Sequence, residues 1–318
     1  AEKGTQRSST WKRHPKKGCK HLLQGRYQIL QFIKDNSYRF GIERMCKVFK
    51  ISRSSYYDWL NRALSQRALE RIKIKQEIDI LYKQSKGRYG SPKIANELRD
   101  RGWRISRPRV ARIMRSEGIR SVICKKFRGA TTNSRHSLPV AENHLNRDFD
   151  ATMPGQKWVS DITYIPTAQG WMYLTIIMDL YDRKIIGWSL STSMTTINTV
   201  LSAWKMATIN RTATPGLIFH SDQGVQYASY IFSEKLKSHR VIQSMSRKGN
   251  CWDNAVAENF FKILKSEMVK HTCFNSILQA KNEVFEFIEV WYNRKRKHQY
   301  LGYKTPQQYG EINYSKCA

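Results

Sequence analysis

Across roughly the first 120 residues, apolar positions recur at intervals of three and four, the period of helices with one buried face. Leu22, Leu23, Tyr27, Leu30 and Ile33 predict a helix over Leu22–Lys34. Ile42, Met45 and Val48 or Phe49 predict another over Gly41–Phe49. Ser52 is placed to N-cap a third, which carries Arg53, Ser54, Ser55 and Tyr56 near its start and then Tyr57, Trp59 and Leu60. Two short helices around a tight turn form a helix-turn-helix pattern. Arg67–Gln84 predicts one longer amphipathic helix, and the two-helix pattern then returns. Ser91 opens SPKIANELRDRG, with Ile94, Ala95 and Leu98 on one face and Gly102 as a stop. Ser106 caps RPRVARIMRSEG, with Pro108 in the first turn, Val110, Ile113 and Met114 as the stripe and Gly118 at the end.

The period changes in the second half. Trp158–Ile165, Trp171–Asp179 and Lys184–Leu190 are rich in strand-forming residues and separated by short turns, which predicts an antiparallel meander. A helix over Thr195–Ile209, a strand at Leu217–Phe219, a helix at Tyr230–Lys237 and a strand at Val241–Gln243 follow. Long helices are expected over Asn254–Lys270 and Ile277–Tyr292. This α/β order is that of a ribonuclease-H-like fold, a mixed sheet with helices on both faces, preceded here by all-α helix-turn-helix domains.

Charge sharpens the division. The chain has 318 residues and a net charge of +31, and residues 1–150 carry +23 of it. Such asymmetry favours a polyanionic partner for the first half, with nucleic acid ahead of membrane. No apolar run reaches the 18 or so residues a spanning helix needs, and the first residues lack a secretory apolar stretch. The six cysteines form no CxxC pair, so reduced thiols in the cytoplasm are expected rather than zinc or disulfides. The chain starts at Ala1, and is expected to be processed, a fragment or one part of a longer product. The organisation expected is a basic segment 1–21, helix-turn-helix domains at 22–66 and 67–123, a basic linker 124–153, a catalytic domain 154–293 and a basic tail 294–318.

Three acids carry the candidate chemistry. Asp161 interrupts an apolar strand, which is costly unless a charge meets it. Asp222 follows the fourth strand, at the carboxyl edge where open sheets form their sites. Glu258 lies in the first turns of a helix, with Lys262 and Lys265 at i+4 and i+7 on the same face, about 100° from the stripe of Ala257, Phe261, Leu264 and Met268. Taken alone, that face is also what a surface ion pair worth about 0.3–0.5 kcal/mol looks like. The two aspartates tip the balance, because oxygen donors suit hard divalent cations. Two Mg²⁺ ions (or Mn²⁺) about 3.5–4 Å apart serve phosphodiester chemistry.

Asp161, Asp222 and Glu258 are therefore the expected catalytic and metal residues. His220 either tunes the site or closes its strand. Lys262, Lys265, Arg107, Arg109, Arg112, Arg247, Lys248, Arg294 and Arg296 are the expected DNA contacts, with a plain basic surface as the competing reading. Trp252 either stacks on a base or anchors its loop.

WVSDITYI, HSDQGVQYAS, KGNCWDNAVAENFFKILKSE and YNRKRKHQYLGYKTPQQY resemble, in order, the motifs of bacterial insertion-sequence transposases of the OrfB type, insertion-sequence family three. That family belongs to the DDE and retroviral-integrase superfamily. YGSPKIANELRDRGWRISRPRVARIM resembles the family's helix-turn-helix, and the likeness covers nearly the whole chain. Thirty-five residues separate Asp222 from Glu258, and Lys265 lies seven beyond it, which is specific to the family. The resemblance implies Mg²⁺-dependent cleavage at an element's 3′ end, then attack of the 3′-OH on another strand, in a copy-out, paste-in route. It implies as partners the element's terminal inverted repeats and target DNA, homo-oligomers on DNA, and an upstream-frame product or fusion partner. No heptad zipper is evident here, so the chain is expected to lack that upstream part. The alternative is a regulator with an inert integrase-like core, and a nuclease without strand transfer is a third reading.

Overall fold

The computed structural model describes residues 25–63, 65–122 and 138–317. The expected segment 1–21, Leu22, Leu23 and residues 124–137 of the expected linker lie outside the described residues. The chain forms two compact units, 1–74 and 75–318.

In the first unit, α1 (Arg26–Asp35), α2 (Ile42–Phe49) and α3 (Arg53–Asn61) enclose Leu30, Ile33, Met45, Cys46, Phe49 and Tyr56. Lys50 adopts the left-handed conformation, φ 55°, and ends α2 in a tight turn. Ser52 Oγ accepts the Ser55 N–H at 3.1 Å, the expected N-cap. Tyr56 faces the core, so among the residues expected at the start of α3 it is Arg53 and Ser54 that stay exposed. The long α4 (Gln66–Gln84) begins in this unit and continues into the next.

The second unit opens with a helical hairpin, α5 (Ser91–Asp100) and α6 (Arg107–Ser116), closed by Ile94, Leu98, Val110 and Ile113. Ser106 Oγ accepts the Arg109 N–H at 3.4 Å. A five-stranded sheet follows, in the order β3-β2-β1-β4-β5. The meander β1 (Lys157–Thr167), β2 (Gly170–Asp179) and β3 (Ile185–Ser191) is antiparallel, while β4 (Ile218–Ser221) and β5 (Ile242–Met245) join parallel to β1. On one face a π-helical turn, Ile197–Leu201, leads into α7 (Ser202–Asn210), which buries Trp204 against Trp158 and Phe219. A short α8 (Val225–Ala228), absent from the sequence expectation, precedes α9 (Tyr230–Ser238).

Helix α10 (Ala255–Glu267) packs on β1, and α11 (Ile277–Phe285) widens into π-helical turns over Glu286–Lys295. The wide turns carry Asn293 to Ile185 of β3, where its side chain accepts from the Ile185 N–H and donates to its carbonyl, both at 3.0 Å. The expected tail contains a helix, α12 (Pro306–Cys317). Thr305 Oγ1 accepts the Gln308 N–H and Gln308 Oε1 accepts the Thr305 N–H, both at 3.1 Å, a capping box. Residues 138–153, expected as linker, lie along the core instead. Leu145 is buried, and Ser244 Oγ accepts the N–H groups of His144 and Leu145 at 3.0 and 3.1 Å.

Among the described glycines the tightest packing is at Gly187, where β3 meets α7. A Cβ on Gly187 would sit 2.3 Å from the Ala203 carbonyl and 2.7 Å from the Ala207 Cβ. Gly187→Ala must therefore push α7 off the sheet. We expect a loss of about 1–3 kcal/mol or more in denaturant titration, and an unchanged midpoint would contradict this packing.

Candidate active site

Strand β1 places Asp161. Its pairing with β4 ends at Val159 opposite His220, and β4 then diverges, opening a gap at the carboxyl edge of the sheet. Trp158 and Ile162 face the α7 side, so the two-residue period turns Asp161 toward α10. Asp222 lies just past β4, in a turn where its Oδ1 accepts the Gly224 N–H at 3.0 Å. Asp161 Oδ1 accepts the Ile162 N–H at 2.8 Å. Glu258 sits in the first turn of α10, exposed, with exposed Lys262 and half-buried Lys265 further along.

These groups share one electrostatic neighbourhood. Burial and then the charges of Asp222 and Glu258 push Asp161 well above the usual carboxylate range, against the pull of Lys265. Burial and Asp222 raise Glu258. Burial lowers Lys265, with Asp161 opposing and Lys270 adding to the shift. Segments 60 and 35 residues apart are thus brought into mutual range. Among the described residues no three His, Cys, Asp or Glu side chains stand close enough to enclose an ion outright. Like charges resist closing on one another, and each aspartate rests on a backbone N–H. The donor set suits a hard divalent cation: the donors are carboxylate oxygens, and burial together with their like charges raises the proton affinity of Asp161 and Glu258.

His220 closes its strand rather than lining the site. It is buried, with Nδ1 2.8 Å from Ser244 Oγ and Nε2 3.1 Å from Ser246 Oγ, and burial pushes it down to about 4. Trp252 is 69% exposed, which leaves its ring free of the core. Lys248 is exposed, and Arg247 divides its guanidinium between solvent and Asp253. Arg107 and Arg112 are exposed on α6 and Arg109 is half-buried.

Sequence reasoning assigned the cluster from Arg294 to His298 to a basic tail, and the structure splits it. Arg294 is exposed, but Arg296 is buried against Glu267, its Nη2 2.9 Å from Glu267 Oε1. Arg296 is therefore corrected from a DNA contact to an interior ion-pair partner. Burial works against the Glu267 charge, and Arg296 overcomes it, holding the carboxyl below its usual range. Trp291 Nε1 donates to the same carboxylate at 3.0 Å, and Arg88 Nε donates to the Glu267 carbonyl at 3.3 Å. Lys297 reaches α5, bonding Asn96 at 2.8 Å and pairing with Glu97 and Asp100.

Two further groups escaped sequence reasoning. Glu267 continues the stripe of Ala257, Phe260 and Leu264, and an acid in an apolar register was the available signal. Asp253 is fully buried just before α10, and the Arg247 guanidinium, helped by Arg147, holds its carboxyl far below the usual range. Asn254 occupies the N-cap position of α10 but makes no cap bond. Its Nδ2 donates instead to the Ser160 carbonyl at 3.0 Å.

A helical hairpin joined to a mixed sheet, with three acids and a lysine at the sheet's edge, defines a polynucleotidyl-transferase core of the integrase type. Residues 151–251 and 258–313 match two family models, each described as Integrase core domain, and 68–127 match an HTH-like domain. The chain is 38% identical over 286 residues to Transposase InsF for insertion sequence IS3A of Escherichia coli (strain K12), covering 89% of this chain and 98% of that one. It is 40% identical over 274 residues to the Insertion element IS600 uncharacterized 31 kDa protein of Shigella sonnei, covering 86% and 100%. The chain belongs to the IS3-type insertion-sequence transposases, the OrfB-like branch of the integrase superfamily. Among solved structures, a simian T-cell lymphotropic virus intasome aligns at 15% identity and TM-score 0.42, over 73% of this chain and 74% of that one. The HTLV-2 integrase catalytic core domain in complex with magnesium aligns at 17% and 0.39, over 51% and 99%.

The buried pair gives a first test. Arg296→Ala strands the Glu267 carboxylate and is expected to cost about 3–5 kcal/mol in denaturant titration. The salt dependence of DNA affinity should stay as in the parent chain, and a shallower slope would return Arg296 to the DNA surface.

Asp161 gives a second. Its folded value lies above the unfolded one of about 3.9, so the folded chain holds the proton more tightly. The associated stability is full below the unfolded value and is lost as pH rises through the folded one. At pH 7 in chelator, above the unfolded value, the group therefore opposes folding. Asp161→Asn is expected to raise the thermal midpoint, by about 2–4 °C per kcal/mol relieved. A lower midpoint in the same scan would contradict the raised proton affinity of Asp161.

Proposed function

We propose that the chain cleaves the 3′ ends of an insertion sequence and joins them to a second DNA strand, with Asp161, Asp222 and Glu258 as its catalytic carboxylates. The observation that carries this reading is the shared electrostatic neighbourhood of those acids with Lys265 at the sheet's carboxyl edge. Hydrolysis breaks the bond between phosphorus and the 3′ oxygen, leaving a 3′-OH. In the second step that hydroxyl forms a new bond to a target phosphate as the target's own 3′ oxygen departs. No bond to the protein is formed in either step.

Asp161, Asp222 and Glu258 would hold two Mg²⁺, or Mn²⁺ in their place. When bound, the ions supply Lewis acidity at the scissile phosphate and a more acidic attacking oxygen. The protein's part is to hold three acids on separate elements so that their charges converge. Lys262 and Lys265, on the same helix face, meet the negative charge of the phosphate backbone. Exposed Arg107, Arg112, Lys248 and Arg294, with Arg109 and Arg247, extend that footprint, and Trp252 offers a ring for an unpaired base.

The substrates are the element's terminal inverted repeats and target DNA, reached by a copy-out, paste-in route. Homo-oligomers on DNA, joined by an upstream-frame product or fusion partner, assemble the ends. The site of action is the bacterial cytoplasm, at the nucleoid. Among the described residues no helix is long and apolar enough to cross a membrane.

Cleavage and joining of end-bearing oligonucleotides test this reading. Glu258→Gln and Asp222→Asn should each lower cleavage by at least about 10³-fold, with DNA affinity within about twofold of the parent; this drop is the scale on which losing one electrostatic stabiliser operates. Lys265→Ala should weaken DNA binding and flatten its salt slope by about one. Parent-level cleavage by Glu258→Gln would leave the regulator reading, and nicking without joining would leave the nuclease.

A further inference from the structure

The gap between β1 and β4 leaves a backbone problem at the site. Val159 is the last β1 residue paired with β4, so the next carbonyl, that of Ser160, has no strand partner on that side. Ser160 directly precedes Asp161, and any tilt of its peptide plane turns the Asp161 side chain. The missing donor comes from outside the sheet. Asn254 Nδ2 donates to the Ser160 carbonyl at 3.0 Å from a residue 3% exposed. The Ser160 side chain is fixed from the other face, its Oγ donating to the Ile176 carbonyl and sharing a hydrogen with the Tyr227 hydroxyl, both at 2.7 Å.

Asn254 is also the residue that leads into α10, four positions before Glu258. Its neighbour Asp253 is held by Arg247 Nε and Nη2 at 2.9 Å, by Arg147 Nε at 2.8 Å and by Asn143 Nδ2 at 3.0 Å. The Asp253–Asn254 step is thus anchored on one side to the 143–147 segment and on the other to β1. A residue serving only as a helix cap would turn its carbonyl oxygen to the free N–H groups of α10. The Asn254 Oδ1 does not; it is buried and without a hydrogen-bond partner in the structure. Such an orphaned acceptor at a reaction site marks a side chain held for geometry rather than for stability.

We propose that Asn254 is a positioning residue, a strut between the Ser160 carbonyl and the start of α10 that sets the separation of Asp161 from Glu258. The inference rests on the proposed function, since it assigns a task only if those two acids act together. The strut fixes the mutual placement of two carboxylates and touches neither DNA nor the reacting phosphate.

The test uses the full chain with Asn254→Leu, which keeps the size and loses the donor, and Asn254→Gln, which keeps the amide and displaces it by one methylene. Three quantities are read: the single-turnover cleavage rate, DNA affinity, and Mn²⁺ affinity by calorimetry without DNA. For Asn254→Leu the strut predicts cleavage slower by at least about tenfold, Mn²⁺ bound at least about fivefold more weakly, and DNA affinity within about twofold of the parent; removal of a group that supports metal ligands has this scale. Asn254→Gln should give the same pattern at smaller size, and it carries the test if Asn254→Leu does not fold. Parent-like cleavage and Mn²⁺ affinity in the folded variant would overturn the inference, as would equal losses of cleavage, DNA affinity and thermal midpoint. Glu258→Gln run alongside separates the two claims. If it abolishes cleavage while Asn254→Leu matches the parent, the strut fails and the catalytic reading stands; if it cleaves normally, the catalytic reading itself fails.

Discussion

Repulsion among Asp161, Asp222 and Glu258 is the constraint around which the second unit is built. Burial raises the proton affinity of Asp161 and Glu258, the charge of Asp222 adds to both, and Glu258 adds to that of Asp161. A fold that lets such groups approach without their counter-charge must hold them with rigid elements. The sheet supplies one anchor: β1 is paired with β2 along its length, with Trp158 and Ser160 locked in the core beneath. The parallel β4 delivers Asp222 and then parts from β1, which opens the space the site needs.

Helix α10 supplies the other anchor, and it is secured at both ends. At its start the buried Asp253 gathers Arg147 and Arg247. At its end Glu267 pairs with Arg296, bonds Trp291 and receives Arg88 through its carbonyl. The Glu267–Arg296 pair is buried on both sides, and such pairs add little net stability over apolar packing but are costly to break singly. They fix one arrangement. The neighbouring Lys297 extends the same joint to Asn96, Glu97 and Asp100 of α5, so the basic hairpin and the end of α10 are held through adjacent residues of one segment.

Most of the elements were legible because their periods were clean. The meander, the alternation after it and the Ser52 and Ser106 caps all follow from local patterns. The three acids were legible because Asp161 breaks an apolar strand and because spacing carried a family likeness. The joints were not legible, since they depend on pairs distant in sequence. Nothing near Arg296 reveals Glu267, 29 residues away, so a basic run read as a DNA-facing tail. The role of Asn254 was hidden in the same way: it stands at a helix start, while its partner lies 94 residues earlier. Helix α12 was legible in principle, because Thr305, Pro306 and Gln308 spell a capping box.

The claim on which the account depends is that divalent cations lodge among Asp161, Asp222 and Glu258. Crystals of the full chain soaked in Mn²⁺, with anomalous diffraction recorded at the manganese edge, address it directly. Anomalous peaks bounded by those three carboxylates are expected, with the Asp161 and Glu258 side chains drawn together. A chain that cleaves DNA in Mn²⁺ yet shows its manganese elsewhere, with the three acids apart, would contradict it.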